Sequence, residues 1–195
     1  MNSHIFEQWE ANAENYTALV DDKGTPHHQK ILNPCVERLL GDPKGKRLLD
    51  AGCGEGYLSR YYAQRGVDVV GVDISEKMIA ICKQKSKDQS IEFLVGDICN
   101  LALFEDASFE LVLCNLVLLN TPCLEEALRE FFRVLKFKGI LVFSVVHPAF
   151  NVFGPGRWEL GEKSPDSGRR EGRYFILDNY FEEKEYMIQW KDRTG

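Results

Sequence analysis

A glycine-rich turn and two aspartates are the residues of this sequence best suited to bind a nucleoside. Glycines alternate with other residues over positions 52–56, directly after an apolar run. Glycine lets the backbone approach a ligand closely, and N–H groups at the start of the following helix are expected to be free. Asp73 follows a second apolar run, where a carboxylate can accept hydrogen bonds from both hydroxyls of a ribose. Asp97 follows a third run and can accept from an exocyclic amino group, with Ile98 beside it to lie against a base.

Each of these residues also has a purely structural explanation. The glycines could form a plain strand-to-helix turn, Asp73 could cap the next helix, and Asp97 could form a turn. The spacing departs from the dinucleotide fingerprint Gly-x-Gly-x-x-Gly, because Tyr57 occupies the third glycine position. A pyrophosphate against the helix N-terminus is therefore disfavoured, and the sequence favours a nucleoside without one.

The elements that must position these residues are five apolar runs that alternate with helical patterns. The predicted strands cover residues 46–51, 67–72, 91–95, 111–114 and 140–146. Apolar residues recur at helical spacing over residues 31–40, 57–64, 75–82 and 124–135. This alternation predicts an α/β fold, a Rossmann-like, doubly wound, mostly parallel sheet with helices on both faces. Ligands of such sheets bind at the carboxyl ends of the strands, where Asn115 and His147 also fall.

Two of the helices carry start signals. Ser75 is predicted to cap one helix, and Thr121 is predicted to cap another, with Pro122 at its first position. Two lysines and a glycine at residues 136–139 suit the negative C-terminal end of that second helix. The chain is therefore expected to leave this helix near residue 139.

Composition excludes several classes of protein. The chain has 195 residues, 44% of them hydrophobic, and a formal net charge of −6. Such a charge repels nucleic acid and anionic membrane surfaces. The N-terminus resembles no signal peptide, and the longest nearly apolar run is too short to span a bilayer. We expect a soluble, cytoplasmic protein without a nucleic acid partner.

Six cysteines are present without a Cys-x-x-Cys pair or regular spacing. We expect all of them to be reduced core thiols of a cytosolic protein. Cys53 has no base near it in the sequence, so packing is favoured over reactivity. His27 and His28 are adjacent, their side chains diverge and no third ligand is evident, so no metal site is assigned.

The motifs around these residues resemble those of class I S-adenosylmethionine-dependent methyltransferases. LLDAGCGEG at residues 48–56 resembles the first motif of that family, and VVGVDIS at residues 69–75 resembles the second. FLVGDI, FELVLCN and LREFFRVLKFKGILVFS follow in the family's order. The set is similar to the subgroup that contains ubiquinone and menaquinone biosynthesis methyltransferases. It is specific for the cofactor and nearly silent about the methyl acceptor.

The resemblance implies a role for each site residue. Asp50 and the backbone of residues 52–54 would hold the methionine part of S-adenosylmethionine, whose product is S-adenosylhomocysteine. Asp73 would bind the ribose, and Asp97 the adenine amino group. Ile74, Met78 and Ile98 would flank the adenine, Asn115 would offer its backbone near the sulfonium, and Tyr16 would belong to an N-terminal lid. The implied cofactor-binding residues are Tyr16, Asp50, Gly52, Cys53, Gly54, Asp73, Ile74, Met78, Asp97, Ile98 and Asn115.

The domain organisation expected from the resemblance is a single methyltransferase domain. A helical lid would cover residues 1–45, the cofactor-binding core residues 46–147, and a substrate-side region residues 148–195. In that last region residues 161–172 are predicted to form a loop, and residues 174–181 to pair with 184–190 as a hairpin. Two C-terminal strands of the family are not evident. Either the aromatic segments supply them, or the chain is a fragment, for which the fifth strand is expected at or near an open edge.

The implied reaction is methyl transfer to a small-molecule acceptor, in which aligning the reactants and excluding water is the main task. His147 is the predicted general base for a phenol or amine acceptor, and the alternative is a His-Pro strand exit without a chemical role. Two other functions stay open: a nicotinamide-dependent oxidoreductase, which Tyr57 disfavours, and a non-catalytic nucleoside-binding protein that has lost its acceptor site.

Overall fold

The computed structural model describes residues 3–20, 22–147 and 156–177. The helices are α1 (Ser3–Val20), a π-helical turn (His28–Leu32), α2 (Asn33–Leu40), α3 (Tyr57–Ala63), α4 (Glu76–Lys85), a 3-10 turn (Leu118–Asn120) and α5 (Leu124–Val134). The strands are β1 (Arg47–Ala51), β2 (Asp68–Asp73), β3 (Glu92–Val95), β4 (Phe109–Asn115), β5 (Leu135–Ser144), β6 (Gly156–Lys163) and β7 (Arg170–Leu177). The chain divides into two compact units between Val145 and Val146.

The first unit is built on a five-stranded sheet with the order β3-β2-β1-β4-β5. All four strand pairs are parallel. The order reverses between β1 and β4, which makes the carboxyl ends of these two strands the expected ligand site. The predicted doubly wound α/β fold is confirmed, and in the described part of the chain β5 forms one edge of this sheet.

Both faces of the sheet are covered, because successive strand residues point to opposite sides. Leu48 of β1 belongs to a buried cluster that includes Leu58 of α3, whereas Leu49 belongs to a second cluster that includes Phe131 of α5. All four are at most 4% exposed. Burying each such side chain stabilises the fold by about 1.5–3 kcal/mol. The near-continuous apolar runs of the sequence thus reflect strands buried on both faces.

Ser75 caps α4 as predicted, since its Oγ accepts a hydrogen bond from the Met78 N–H at 3.1 Å. The predicted Thr121 cap is wrong. The Thr121 hydroxyl donates to the Val117 carbonyl at 3.2 Å, and α5 begins later, at Leu124. A capping hydroxyl accepts from the first N–H groups of a helix, and because α5 begins only at Leu124 the residue in the cap position is Cys123.

The predicted exit from α5 near residue 139 is also wrong. The helix ends at Val134, and Leu135 already pairs with Phe109 of β4. Residues 136–139 therefore lie in β5, at a register shift after which Ile140 pairs with Leu111. Sheet pairing outcompetes the helical pattern here because β4 offers a ladder partner from Leu135 onward.

The second unit contains an antiparallel pair, β6 with β7. The predicted loop over residues 161–172 is wrong at both ends, because residues 161–163 lie in β6 and residues 170–172 in β7. Residues 174–177 pair with residues 156–159, and the predicted hairpin partner at 184–190 lies outside the described residues. Among the described residues, no helix combines the length and apolar composition that a membrane span needs.

Candidate cofactor site

A cavity opens at the carboxyl ends of the first four strands, where the strand order reverses. Its lining residues are Ile5, Trp9, Tyr16, Gly52, Gly54, Asp73, Ile74, Met78, Gly96, Asp97, Ile98, Cys99, Asn115, Val117, Asn120, Thr121, Pro122 and Cys123. Nine of the eleven predicted cofactor-binding residues are among them. The charged residues of this lining are both aspartates, and none of the described lining residues is Lys, Arg or His.

The turn between β1 and α3 requires glycine at position 52. Gly52 has a φ of +77°, and a Cβ there would overlap with the side chain of Val117. Close packing of the turn against the loop after β4 therefore excludes any side chain at this position.

Four amide groups of this turn are occupied by the protein itself, whereas the expectation of free N–H groups concerned the start of α3, which has no side-chain cap. The Gly52 and Cys53 N–H groups donate to the Val72 carbonyl at 2.7 and 2.9 Å. The Gly54 N–H donates to Asp73, and the Gly56 N–H to the Cys53 carbonyl. The turn therefore presents none of these four donors to an anion, because β2 and the turn already use them.

Asp73 is buried at the end of β2 and also lines the cavity. Its Oδ2 accepts from the Gly54 N–H at 2.9 Å, and its Oδ1 accepts from the Ser75 N–H at 3.0 Å. Burial raises the pKa of Asp73, and these backbone hydrogen bonds oppose the rise. The carboxylate thus joins the glycine turn to the start of α4, and each oxygen keeps lone-pair capacity for a further donor.

Asp97 and its neighbours form the far end of the cavity. The Asp97 carboxylate accepts from the Cys99 N–H at 3.0 Å, and its carbonyl accepts from the Asn100 N–H at 2.9 Å, so it does form the turn that was the structural alternative. It also lines the cavity, together with Ile98. Ile74 and Met78 line the cavity as well, and all three of these apolar residues suit a flat base.

The side chains of Asp50 and Cys53 are not among the lining groups. Asp50 is buried behind the turn, where it accepts from the Ser59 hydroxyl at 2.6 Å, and burial raises its pKa to about 6. Cys53 packs with Ile79 and Cys82, and burial raises the pKa of its thiol well above the usual range. A direct side-chain contact of either residue with a ligand is therefore not supported by the geometry.

Asn115 ends β4 at the cavity wall, and its amide is held in place. Its Oδ1 accepts from the Ser144 hydroxyl at 2.6 Å, and its Nδ2 lies 3.5 Å from the Tyr57 hydroxyl. The next residue, Leu116, has a φ of +60°, which is rare for a residue other than glycine. Such local strain is typical of ligand sites.

Helix α1 supplies three lining residues, of which the sequence analysis assigned only Tyr16. Ile5, Trp9 and Tyr16 are spaced so that they share one face of the helix. This helical spacing could have predicted Ile5 and Trp9 as lining residues from the sequence. The rings of Trp9 and Tyr16 meet edge to face with centroids 5.5 Å apart.

Burial and three nearby carboxylates raise the pKa of Tyr16 to about 12. Glu10 fixes the helix to α4, because its carboxylate accepts from the Ser75 hydroxyl at 2.7 Å.

Cys99 and Cys123 form a disulfide at the cavity wall, so the expectation that all six cysteines are reduced is wrong. They are 24 positions apart, and only the fold brings the turn after β3 next to the start of α5. The cysteines therefore no longer argue for a cytosolic location. The Asp97 carboxylate lies within 4.8 Å of both sulfur atoms. These three residues form a cluster of metal-ligand types that was not predicted from the sequence. In the disulfide neither sulfur is a thiolate, the form that binds a metal.

His147 is exposed and belongs to the second unit. Its assignment as a general base stays a prediction.

Comparison with known proteins identifies the class to which this fold and site belong. Residues 49–143 match the methyltransferase domain family. The chain is 36% identical over 113 residues to the malonyl-acyl-carrier protein O-methyltransferase of Serratia marcescens, covering 56% of this chain and 43% of that protein. It is 30% identical over 148 residues to the ubiquinone biosynthesis O-methyltransferase of Bordetella avium, covering 71% and 61%. An S-adenosylmethionine-dependent methyltransferase structure from Mesorhizobium loti superposes with a TM-score of 0.63 at 28% identity, covering 76% of this chain and 64% of that one.

Residues 49–143 therefore carry a methyltransferase domain, and the chain is similar to S-adenosylmethionine-dependent methyltransferases, among them enzymes of quinone biosynthesis. It spans about half the length of the relatives it matches.

Proposed function

We propose that this protein binds S-adenosylmethionine in the cavity at the strand ends and transfers its methyl group to a small-molecule acceptor. The observation that carries the proposal is the convergence of the glycine turn, Asp73 and Asp97 on one cavity that is lined by carboxylates and by no described cation. The match of residues 49–143 to the methyltransferase domain family supports the same conclusion.

The charge of the cavity distinguishes the cofactor from a nicotinamide dinucleotide. S-adenosylmethionine carries a positive sulfonium, which Asp73 and Asp97 attract, whereas a dinucleotide carries a doubly negative pyrophosphate, which they repel. In the turn itself the N–H groups of residues 52–54 and 56 are already paired and are not available to a pyrophosphate. Both observations weigh against the oxidoreductase alternative, to which the comparisons give no support either.

The hydrogen-bond acceptors and apolar surfaces of the cavity fit an adenosyl group. The Asp73 carboxylate has acceptor capacity for ribose hydroxyls, and the Asp97 carboxylate for an adenine amino group. The apolar side chains of Ile74, Met78 and Ile98 provide surfaces for the base. When bound, S-adenosylmethionine supplies a methyl group that its sulfonium already activates. The protein's own task is then to orient the reactants and exclude water, and Trp9 and Tyr16 of α1 cover the cavity.

The acceptor is proposed to be a small molecule or a carrier-bound acyl group with an oxygen nucleophile. Two relatives are named as O-methyltransferases, one for malonyl-acyl-carrier protein and one in ubiquinone biosynthesis. A carboxylate acceptor needs no general base, whereas a phenol is helped by one, for which His147 is our candidate. Replacing His147 by Ala should then lower kcat on a phenol and leave cofactor affinity unchanged.

The test is isothermal titration of the purified chain with S-adenosylmethionine, S-adenosylhomocysteine and NAD at one ionic strength. We expect saturable binding of the first two and no heat from NAD. Tight NAD binding, or binding of none of the three, would overturn the proposal.

Methyl transfer is tested separately, with radiolabelled S-adenosylmethionine and panels of phenols, carboxylic acids and malonyl-acyl-carrier protein. Label transferred to an acceptor supports the enzyme. Cofactor binding without transfer to any acceptor, also in a cell extract, would favour the non-catalytic nucleoside-binding alternative.

A further inference from the structure

The Cys99–Cys123 disulfide joins two segments of the chain that line the cofactor cavity. Cys99 lies in the turn after β3 that also holds Asp97 and Ile98, and Cys123 follows Thr121 and Pro122 at the start of α5. All of these residues line the cavity. The disulfide is therefore part of the wall at the end of the cavity that our proposal gives to the adenine.

The position of Asp97 is coupled directly to that of Cys99. The Asp97 carboxylate accepts a hydrogen bond from the Cys99 N–H at 3.0 Å, and the Asn100 N–H closes the same turn on the Asp97 carbonyl. A displacement of Cys99 thus moves the carboxylate on which recognition of the base depends.

The rest of the segment is anchored to α5 without the disulfide. The Leu101 N–H donates to Glu130 at 2.6 Å, and Arg133 donates to the Leu101 carbonyl at 2.9 Å. Cleaving the disulfide would therefore loosen residues 97–100 and 121–123 while the sheet and α5 stay in place.

We propose that the Cys99–Cys123 disulfide is a redox-sensitive clamp that holds the adenine end of the cavity in its binding geometry, so that reduction weakens cofactor binding. This inference rests on the proposed function, because cofactor affinity is its readout. Both cysteines are half-buried, which leaves the disulfide within reach of a small dithiol.

The chemistry of the switch is thiol–disulfide exchange. A thiolate of an external dithiol attacks one sulfur, the Cys99–Cys123 bond breaks, and a mixed disulfide forms. The second thiol of the reagent then releases the protein, so the two cysteines gain two electrons and two protons while the reagent becomes a disulfide. In the reduced state residues 97–100 sample more conformations, and the ligand must order them on binding.

The experiment compares oxidised and dithiothreitol-treated protein. Thiol titration of denatured protein that was purified without reductant should find four free thiols per chain, since the other four cysteines are free. S-adenosylhomocysteine affinity is then measured by calorimetry in both states. Ordering a few side chains and one turn corresponds to a loss of affinity of about three- to tenfold on reduction. EDTA is present throughout, so that metal capture by the reduced Asp97, Cys99 and Cys123 group does not enter the comparison.

Two variants complete the test. The double variant Cys99→Ser with Cys123→Ser should bind with the affinity of reduced wild type and be insensitive to dithiothreitol. Cys35→Ser, which removes an exposed free thiol of α2, should respond as wild type does. Six free thiols, or equal affinities of oxidised and reduced wild type, would overturn the clamp. No binding in either state would instead overturn the proposed function.

Discussion

Replacing Asp73 by Ala tests whether its carboxylate binds the ribose, which we infer from its place in the cavity wall. The substitution removes the acceptor of two backbone N–H groups, those of Gly54 and Ser75. It also removes the proposed acceptor of the ribose hydroxyls. Stability and affinity are therefore both expected to fall, and the size of each effect separates the two roles.

The expected loss of stability follows from the two N–H groups that are left without a partner. Each unsatisfied buried donor costs about 1–3 kcal/mol, so the free energy of unfolding should fall by about 2–6 kcal/mol. Burial raises the pKa of Asp73, so desolvation of the carboxylate offsets part of this stabilisation and places the loss in the lower half of that range. Hydrogen bonds from ribose to a carboxylate are worth about 1.5–3 kcal/mol each, so affinity should fall at least about tenfold.

Ser75→Ala is the control for the cap beside Asp73, because Ser75 is not a lining residue; it also removes the hydrogen bond to Glu10 of α1, while the Lys77 N–H still donates to that carboxylate. Loss of a cap costs about 0.5–2 kcal/mol of stability. Because one contact of α1 is lost as well, the affinity should fall, but by less than in Asp73→Ala. Urea unfolding without ligand and calorimetry with S-adenosylhomocysteine measure both quantities for each variant. Asp73→Asn, which keeps one acceptor oxygen, serves if the Ala variant does not fold.

The ribose assignment is refuted if Asp73→Ala and Ser75→Ala lose the same affinity, or if the dissociation constant of the Asp73 variant is unchanged. In either case the carboxylate would serve only to join the glycine turn to α4.

Two further predictions concern the turn and the acid behind it. Gly52→Ala should destabilise the protein more than Gly45→Ala: both positions have positive φ, which costs about 1–3 kcal/mol, but only the Cβ at position 52 meets Val117. Equal decreases of the melting temperature in Gly52→Ala and Gly45→Ala would show that Val117 moves away from the new Cβ without a cost in stability. Asp50, whose pKa burial raises to about 6 from an ordinary 3.8, stabilises the fold below pH 3.8 and loses that contribution as the pH rises through about 6. Asp50→Asn should therefore gain stability relative to wild type between pH 4 and pH 7, by about 3 kcal/mol in urea unfolding, and a pH-independent difference would contradict the buried acid.

The sheet and the glycine turn could be predicted from the sequence because their signals are local. Strands buried on both faces appear as apolar runs, and Ser75 caps α4 through an acceptor only three residues from its donor. The carboxyl ends of parallel strands must meet at one edge, so Asp73, Asp97 and Asn115 were expected to lie together, and all three line one cavity.

Element ends were less predictable, because they depend on competition between neighbours. Thr121 has the residue type of a helix cap, yet α5 begins only at Leu124 and Cys123 takes the cap position. Residues 136–139 have the composition of a helix end, yet β4 draws the chain into the sheet from Leu135. A local pattern does not contain the position of the competing partner.

The sequence by itself determined the fold class, the glycine turn and the acidic strand ends, since each follows from residue type and short-range spacing. Only the tertiary structure decided which groups share a surface. It paired the Gly52 and Cys53 N–H groups with the Val72 carbonyl, brought Trp9 to the cavity lining and joined Cys99 to Cys123. These contacts connect residues far apart in the chain, and their distances are set by how the helices pack on the sheet rather than by any periodicity of the sequence.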